Sequence, residues 1–406
     1  MADRRQEIAD AKRKLRQQLR QINEIEKRTG TATKGYEAHR DRAARRQAEL
    51  SESGRDIGPL PAVVDPERRA AAEASFLAFC DSYFPATFSL PWSDDHREVI
   101  AALERSVREG GLFAFAMPRG SGKTSLTEAA ALWALLCGYR DFVAIIGAGE
   151  DHANRMLESV KVEAETNELL LADFPEALFP IHALERIHQR AKGQLFQGRP
   201  THIQWTADEV QFPAIPESKA AGGIIRVAGI TGGIRGMSAK RAVDGRKVRP
   251  SLVLIDDPQT DESAKSPAQV AEREAVLQGA ILGLAGPGAK IAGLCTVTVI
   301  RPDDLADRLL DRSRHPAWQG KRTKMVYSWP AAEELWLQYA DLRREGQRGG
   351  VGTAVADDFY RERRAEMDAG SVVAWPARMY PGELSAIQHA WNLRIDRRDA
   401  AFFAEY

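Results

Sequence analysis

From about Ala70 onward, short and nearly continuous apolar runs alternate with longer amphipathic stretches. The runs predict strands at 112–117, 141–147, 201–206, 224–229, 251–256, 290–298 and 324–329. The stretches between them predict helices at 70–81, 93–109, 123–137, 150–166, 267–282 and 303–313. Strands that are apolar on both faces belong to a parallel sheet covered by helices on each side. The expected fold is therefore α/β, with a mainly parallel central sheet flanked by helices. After Pro330 the chain turns charged and helical and ends at Phe402-Phe403-Ala404-Glu405-Tyr406, which predicts a small helical C-terminal subdomain over 331–406. No internal repeat is visible.

The first 58 residues differ in kind. They are rich in Arg, Lys, Gln and Ala, and positions 1–56 carry fifteen Lys or Arg against ten Asp or Glu. Ile8, Leu15, Leu19, Ile22 and Ile25 make a thin apolar stripe at helical spacing, ending near Thr29-Gly30. A solvated helix with a frayed tail fits this pattern. So does a short oligomerisation helix, or a basic arm that touches DNA phosphates. The expected organisation is an N-terminal arm over 1–58, a linker over 59–69 marked by Gly58-Pro59-Leu60-Pro61 at its boundary, a core over 70–330, and a helical lid over 331–406.

Composition narrows the class without naming it. A chain of 406 residues can bury one large core with an appendage, or two cores. The longest apolar runs, such as 129–137, are too short to span a bilayer, and the charged start lacks a signal-peptide core. Three widely spaced cysteines, Cys80, Cys137 and Cys295, suit buried thiols in a reducing compartment and suggest no zinc site. With 57 basic and 57 acidic residues, any nucleic-acid contact must come from a local patch.

The chemistry is concentrated after the first predicted strand. Residues 112–125 read Leu-Phe-Ala-Phe-Ala-Met-Pro-Arg-Gly-Ser-Gly-Lys-Thr-Ser, a buried strand turning through glycines into an alanine- and leucine-rich helix. This is the layout of a phosphate-binding P-loop, in which successive backbone N–H groups and a helix N-terminus surround a polyphosphate. Pro118, Arg119, Gly120, Ser121, Gly122, Lys123, Thr124 and Ser125 are the candidate ATP-binding residues. Lys123 would reach the β- and γ-phosphates, and the Thr124 hydroxyl would sit on Mg²⁺. The strict pattern has glycine where this chain has Met117, and the alternative reading is a plain glycine turn.

A nucleotide-hydrolysing site also needs a carboxylate at a neighbouring strand end and a group that orients water. Ser251-Leu252-Val253-Leu254-Ile255-Asp256-Asp257 supplies both. Asp256 is the Mg²⁺ ligand candidate with Thr124, and Asp257 the candidate water activator, with Asp261 and Glu262 in reserve. The alternative for this acidic pair is a turn before Pro258. The long interval between Lys123 and Asp256 suits the additional-strand class of P-loop NTPase, which includes RecA-like motors. No Asn-Lys-x-Asp guanine signature occurs, which favours ATP. Between the two halves lies Gly229-Ile230-Thr231-Gly232-Gly233-Ile234-Arg235-Gly236-Met237, followed by Lys240, Arg241, Arg246, Lys247 and Arg249. Arg235 is the first candidate for an arginine finger and Arg246 the second; DNA contact or loop structure are the other readings. Arg190-Ala191-Lys192 is a further candidate DNA contact.

Taken in order, these segments resemble the ATPase half of the large terminase subunit, the DNA-packaging motor of tailed phages. The resemblance runs from about Leu90 to Tyr406. It is carried by Pro-Arg-Gly-Ser-Gly-Lys-Thr at 118–124, Asp173-Phe174-Pro175-Glu176, Gly-Gly-Ile-Arg-Gly at 232–236, Ile-Asp-Asp-Pro-Gln at 255–259, Gly286-Pro287-Gly288 and Arg301-Pro302-Asp303-Asp304-Leu305. It implies catalytic roles for Lys123, Asp256 and Asp257, although Asp257 replaces the family's more common glutamate. It places the adenine-contacting segment at Leu90-Pro91-Trp92-Ser93-Asp94-Asp95-His96. The usual glutamine is absent there, and Trp92 or His96 could take its part, with a buried core tryptophan as the alternative for Trp92. The coupling motif falls on Thr296-Val297-Thr298, where Thr298 could sense the γ-phosphate or serve only as a strand-forming threonine.

The same resemblance implies a ring of subunits in the host bacterial cytoplasm, at the portal vertex of a procapsid. The implied partners are double-stranded DNA, the portal protein and a small terminase subunit, with no membrane. Such proteins usually continue into a nuclease domain with clustered acids. Only about 75 residues follow the last predicted strand, so the expectation is ATP hydrolysis without DNA cleavage and with the nuclease on a separate polypeptide or domain. The series Asp303, Asp304, Asp307 and Asp311 is expected on a solvated helix. Two other functions remain open on the sequence: a RecA-type helicase or translocase, and a nucleotide-gated assembly module with little turnover.

Overall fold

A computed structural model describes residues 12–21, 24, 55–286 and 288–406. Contacts divide the chain into two units, one of 1–58 with 193–199 and one of 59–192 with 200–406. In the first unit, residues 12–21 are helical, and Leu15 and Leu19 are exposed. Ile8, Ile22, Ile25 and the Thr29-Gly30 stop lie outside the described residues, as does Pro287 of the Gly-Pro-Gly segment. Asp56 bridges Leu195 in this unit, and its carboxylate accepts backbone N–H groups from Gly58 and Gly198.

The second unit begins with α1 (Pro66–Ala74), α2 (Phe76–Tyr83) and α3 (Asp94–Arg108). Ser75 splits the single helix expected at 70–81, because its hydroxyl caps α2 by accepting the Ala78 N–H. Then follow β1 (Leu112–Ala116), α4 (Lys123–Leu136), β2 (Phe142–Gly147) and α5 (Glu150–Thr166). The strands β3 (Gln204–Trp205), β4 (Glu209–Gln211), β5 (Ile224–Gly229), β6 (Leu252–Asp256), β7 (Ala292–Val297) and β8 (Trp318–Arg322) complete the sheet. The helices between these later strands include α6 (Pro267–Val276) after β6 and α7 (Leu305–Leu310) after β7.

Among the described residues this sheet has eight strands in the order β8-β1-β7-β6-β2-β5-β4-β3. The six from β8 to β5 run parallel, and the β3–β4 hairpin joins antiparallel. Side-chain alternation explains why the central strands read as continuous apolar runs. Phe113, Phe115, Val143, Ile145, Leu252, Leu254 and Leu294 pack on one face against α1 to α5. Ala114, Ala144, Ile146, Val253, Ile255, Cys295 and Val297 pack on the other against α6 and α7.

Two strand assignments need correction. The run at 324–329 is not in the main sheet; Val326–Ser328 (β9) pairs antiparallel with Val372–Val373 (β10). The edge of the main sheet is instead β8, of sequence Trp-Gln-Gly-Lys-Arg, which escapes the periodicity because an edge strand keeps polar residues in water. The run at 201–206 shrinks to β3 in the hairpin. Of the acids around α7, Asp303 and Asp311 are exposed as expected, but Asp304 is not. Asp304 is fully buried as the N-cap, accepting N–H groups from Ile300, Arg301 and Asp307 and the Gln259 side-chain amide. Asp173 and Glu176 turn out to be anchors for α1. Asp173 accepts from Arg68 at 2.6 Å and from Tyr83 at 2.8 Å, and Glu176 accepts from Arg69 at 2.6 Å.

The C-terminal helices α8 (Glu333–Arg348), α9 (Ala354–Asp368), α10 (Ala386–Arg397) and α11 (Asp399–Glu405) share a separate aromatic core. Trp336 and Trp391 stack there with centroids 5.3 Å apart, beside Tyr339, Tyr360 and Phe402. Among the described residues no helix is long and apolar enough to cross a membrane.

The edge strand offers a direct test of this packing. Gly320 has φ +141°, and a Cβ there would lie 1.7 Å from the Ala114 carbonyl oxygen. Gly320→Ala should therefore lower the unfolding free energy by about 2–4 kcal/mol, through backbone strain and displacement of β8. Chemical denaturation checks this; a midpoint unchanged from wild type would refute the close packing.

Candidate functional site

The parallel register brings the C-terminal ends of β1, β7, β6, β2 and β5 to one edge of the sheet. This edge is where open α/β sheets bind ligands. The loop after β1 leaves the sheet at Met117, whose N–H donates to Val297 O at 2.9 Å. Gly120 and Gly122 both adopt positive φ, 74° and 76°, a region that side chains resist. Gly122 is the N-cap of α4 and supplies no side-chain cap, so the first N–H groups of α4 lack that partner. Met117 is buried in the core, which accounts for a large apolar residue at the first position of the loop. The Ser121 hydroxyl donates to Pro118 O at 2.7 Å and ties the loop across its own mouth.

Lys123 is almost wholly buried, and its ammonium donates to Met117 O at 3.2 Å and Thr298 Oγ1 at 2.7 Å. It also lies 3.5 Å from Asp257 Oδ2. The Thr124 hydroxyl donates to Asp256 Oδ2 at 2.6 Å, joining residues 132 positions apart. Thr296, the in-register neighbour of Asp256, donates to Asp256 Oδ1 at 2.9 Å. Thr298 donates to Asp257 Oδ1 at 3.0 Å. Asp257 has φ 38°, a left-handed turn that directs the chain away from the strand. Burial pushes the Asp257 carboxyl above the usual carboxylate range, partly offset by Lys123. Lys123, Thr124, Asp256, Asp257, Thr296 and Thr298 thus form one connected cluster.

The remaining candidates divide. His96 reaches the loop: its Nε2 donates to Ser121 O at 3.0 Å, while Nδ1 pairs with Ser93 Oγ at 2.7 Å. Burial lowers the His96 pKa. Trp92 lies at the border of the core, packs against Phe88 and His96, and donates to Asp81 at 2.7 Å. Ser125 is half-buried on the first turn of α4. Arg235 follows the end of β5 in the glycine loop, exposed and without an ion pair among the described residues. Arg246 is exposed beside Asp244, and Lys240 and Lys247 face each other in a two-stranded hairpin. Arg190 pairs with Glu185. Asp261 and Glu262 are exposed on a separate helical turn at Asp261–Lys265.

Several contributors carried no sequence signal that had been used. His152, on the first turn of α5, lies 3.4 Å from Asp256 Oδ2, and that hydrogen bond raises its pKa. Gln259 bridges Thr298 O, Asp304 and the Leu305 N–H, so it fixes the segment after β7. Its place in Asp-Asp-Pro-Gln was the available hint. The C-terminal segment also grips the loop. The Arg119 N–H donates to Glu405 O at 2.9 Å, their side chains pair at 2.8 Å, and Arg378 donates to Arg119 O at 2.7 Å.

The donor set suits a nucleotide with a hard cation: one buried lysine, one hydroxyl, one carboxylate and a helix N-terminus. Among the described residues no group of three or more His, Cys, Asp or Glu is placed to hold a metal by itself. Mg²⁺ in phosphate sites is typically held by one or two protein oxygens plus phosphates, so Thr124 and Asp256 are the residues that could hold it.

No protein-family model matches the chain, and no curated protein does. Among solved structures, the chain is similar to the crystal structure of the HK97 bacteriophage large terminase, at 14% identity and a TM-score of 0.37. The similarity covers 65% of this chain and 47% of that one, so this chain matches about half of that protein's length. A likeness of that size assigns no function, which has to come from the site itself.

Glu128 gives the site a pH signature. It lies one turn beyond Thr124 on α4, accepts from Ser159, and is pushed up to about 7 by burial. The unfolded chain releases this proton near the ordinary 4.5, so the folded state binds more protons between the two values. Stability should therefore fall as pH rises from about 5 to about 7, and Glu128→Gln should flatten that fall. Thermal unfolding of both proteins across this range checks it; parallel curves would contradict it.

Proposed function

We propose that this chain is a P-loop ATPase of the additional-strand class, and that it serves as the motor of double-stranded DNA packaging. The observation that carries the ATPase reading is the Thr124–Asp256 hydrogen bond at 2.6 Å beside a buried Lys123. The strand order supports the class. β7, later in sequence than both, lies between the loop strand β1 and the acidic strand β6. The extra strand is therefore inserted in space, beyond the units that separate Lys123 from Asp256 along the chain.

Catalysis in such a site is positioning and charge neutralisation. Lys123 exchanges Met117 O and Thr298 for phosphate oxygens. Thr124 and Asp256 would hold Mg²⁺, whose charge would offset that of the phosphates. Asp257, freed from Lys123, orients water, and Thr298, bonded to both Lys123 and Asp257, is placed to report which state they are in. Arg235, exposed and without an ion pair among the described residues, is available to a neighbouring subunit in a ring. The packaging reading rests on the order of motifs along the chain. It brings with it the portal protein and a small terminase subunit as partners. DNA would meet phosphate-directed contacts from Lys240, Arg246, Lys247 and Arg249, hence salt-sensitive and sequence-independent binding.

Steady-state ATP hydrolysis tests the core of the proposal. Lys123→Ala and Asp256→Asn should each lower kcat/KM by about 100-fold or more. Asp257→Asn should lower kcat while nucleotide binding persists. Equal rates in wild type and all three variants would sink the catalytic claim. ATP-dependent strand separation would favour a helicase instead.

A further inference from the structure

A second cleft adjoins the loop, on the side away from Asp256. It is partly open to solvent and is shared between four parts of the chain. Met117, Pro118 and Ser121 come from the loop, Ser93, Asp95 and His96 from the start of α3, residues 323–325 from the stretch after β8, and Trp375 and Arg378 from the segment between α9 and α10. The walls are mostly ring and hydrocarbon, with a few polar groups at their margins. This is the composition of a site that takes a flat organic group and fixes its orientation.

We infer that this cleft is the purine-base subsite and that Trp375, from the C-terminal segment, is its stacking platform. The inference rests on the nucleotide reading of the loop. Loop and cleft share three residues, so a ligand whose phosphates lie along the loop can extend its base here. Trp375 is positioned from both ends: its indole N–H donates to Pro91 O at 2.7 Å, and its ring meets His96 at 4.5 Å and 63°. His96 is in turn locked to Ser121 O, so one aromatic wall is fastened to the loop and the other belongs to the C-terminal segment. A base enters by parting these two rings. Gly370 and Gly382, with φ 81° and 94°, bound the segment that would move.

Arg378 ties the same segment to the loop backbone. Its guanidinium donates to Arg119 O and lies over the Tyr406 ring at 5.3 Å, and it forms no ion pair among the described residues. Trp92, one of the two residues offered for this part with a core tryptophan as the alternative, is committed to Asp81 and Phe88. Asp95 at the cleft margin accepts from Tyr327 and Lys321, which fixes that wall of the cleft. A bicyclic base covers more of the indole than a pyrimidine does, and base–aromatic stacking is worth about 1–3 kcal/mol.

Calorimetric titration with Mg·ATP, Mg·CTP and inorganic tripolyphosphate tests this. Wild type should bind ATP about 10-fold or more tightly than CTP. Trp375→Ala should weaken ATP by about 10- to 100-fold and leave tripolyphosphate unchanged, and Trp375→Phe should recover most of the loss. Equal wild-type affinity for all three ligands would overturn the base subsite without any variant. ATP binding that depends on Lys123 yet is unaltered in Trp375→Ala would overturn the role of Trp375 and leave the nucleotide reading standing. Failure of Lys123→Ala to weaken either ATP or tripolyphosphate would remove that reading, and the inference with it.

Discussion

Everything in the site depends on the approach of the Thr124 hydroxyl to the Asp256 carboxylate. The two residues belong to strand–loop–helix and strand–turn segments that are far apart along the chain. They meet because β1, β7 and β6 lie parallel and in register, so their ends reach the same level of the sheet. A buried carboxylate is costly unless it is hydrogen-bonded. Asp256 meets that demand with Thr124, Thr296 and His152. Without β7 as spacer, Thr296 would not flank Asp256, and Thr298 would not link Lys123 with Asp257.

The same edge is braced from outside the sheet. Gln259 and Asp304 hold the turn after β7, and the loop itself is held by His96 on one side and by Arg378 and Glu405 on the other. The C-terminal segment is thus mechanically continuous with the loop. In an ATPase of this kind, a shift of the loop at Arg119 would pass to α11 and to the segment bearing Trp375.

Much of this was legible in the sequence, and the parts that were not share a physical reason. Buried parallel strands announce themselves, because both faces must be apolar; β1, β2, β5, β6 and β7 were found on that ground, and with them Lys123 and the Asp256-Asp257 pair. Edge strand β8 has one face in water and shows no such run, whereas the apolar stretch at 324–329 pairs with Val372–Val373 outside the main sheet. Acidic spacing alone could not distinguish a solvated helix face from Asp304, an N-cap buried by its four hydrogen-bond donors. Contacts such as Arg119–Glu405, 286 positions apart, leave no local trace at all. His152 had the same difficulty, as an ordinary polar residue on a helix whose register places it against Asp256.

The central claim is that the loop after β1 is a polyphosphate cradle closed by Asp256. A crystal structure with Mg²⁺ and a non-hydrolysable ATP analogue tests it most directly. The account predicts phosphates along residues 118–124, the cation between Thr124 and Asp256, and the Lys123 ammonium moved off Met117 O and Thr298 onto phosphate oxygen. A nucleotide bound elsewhere, with Lys123 still on Met117 and Thr298 and the loop empty, would contradict it.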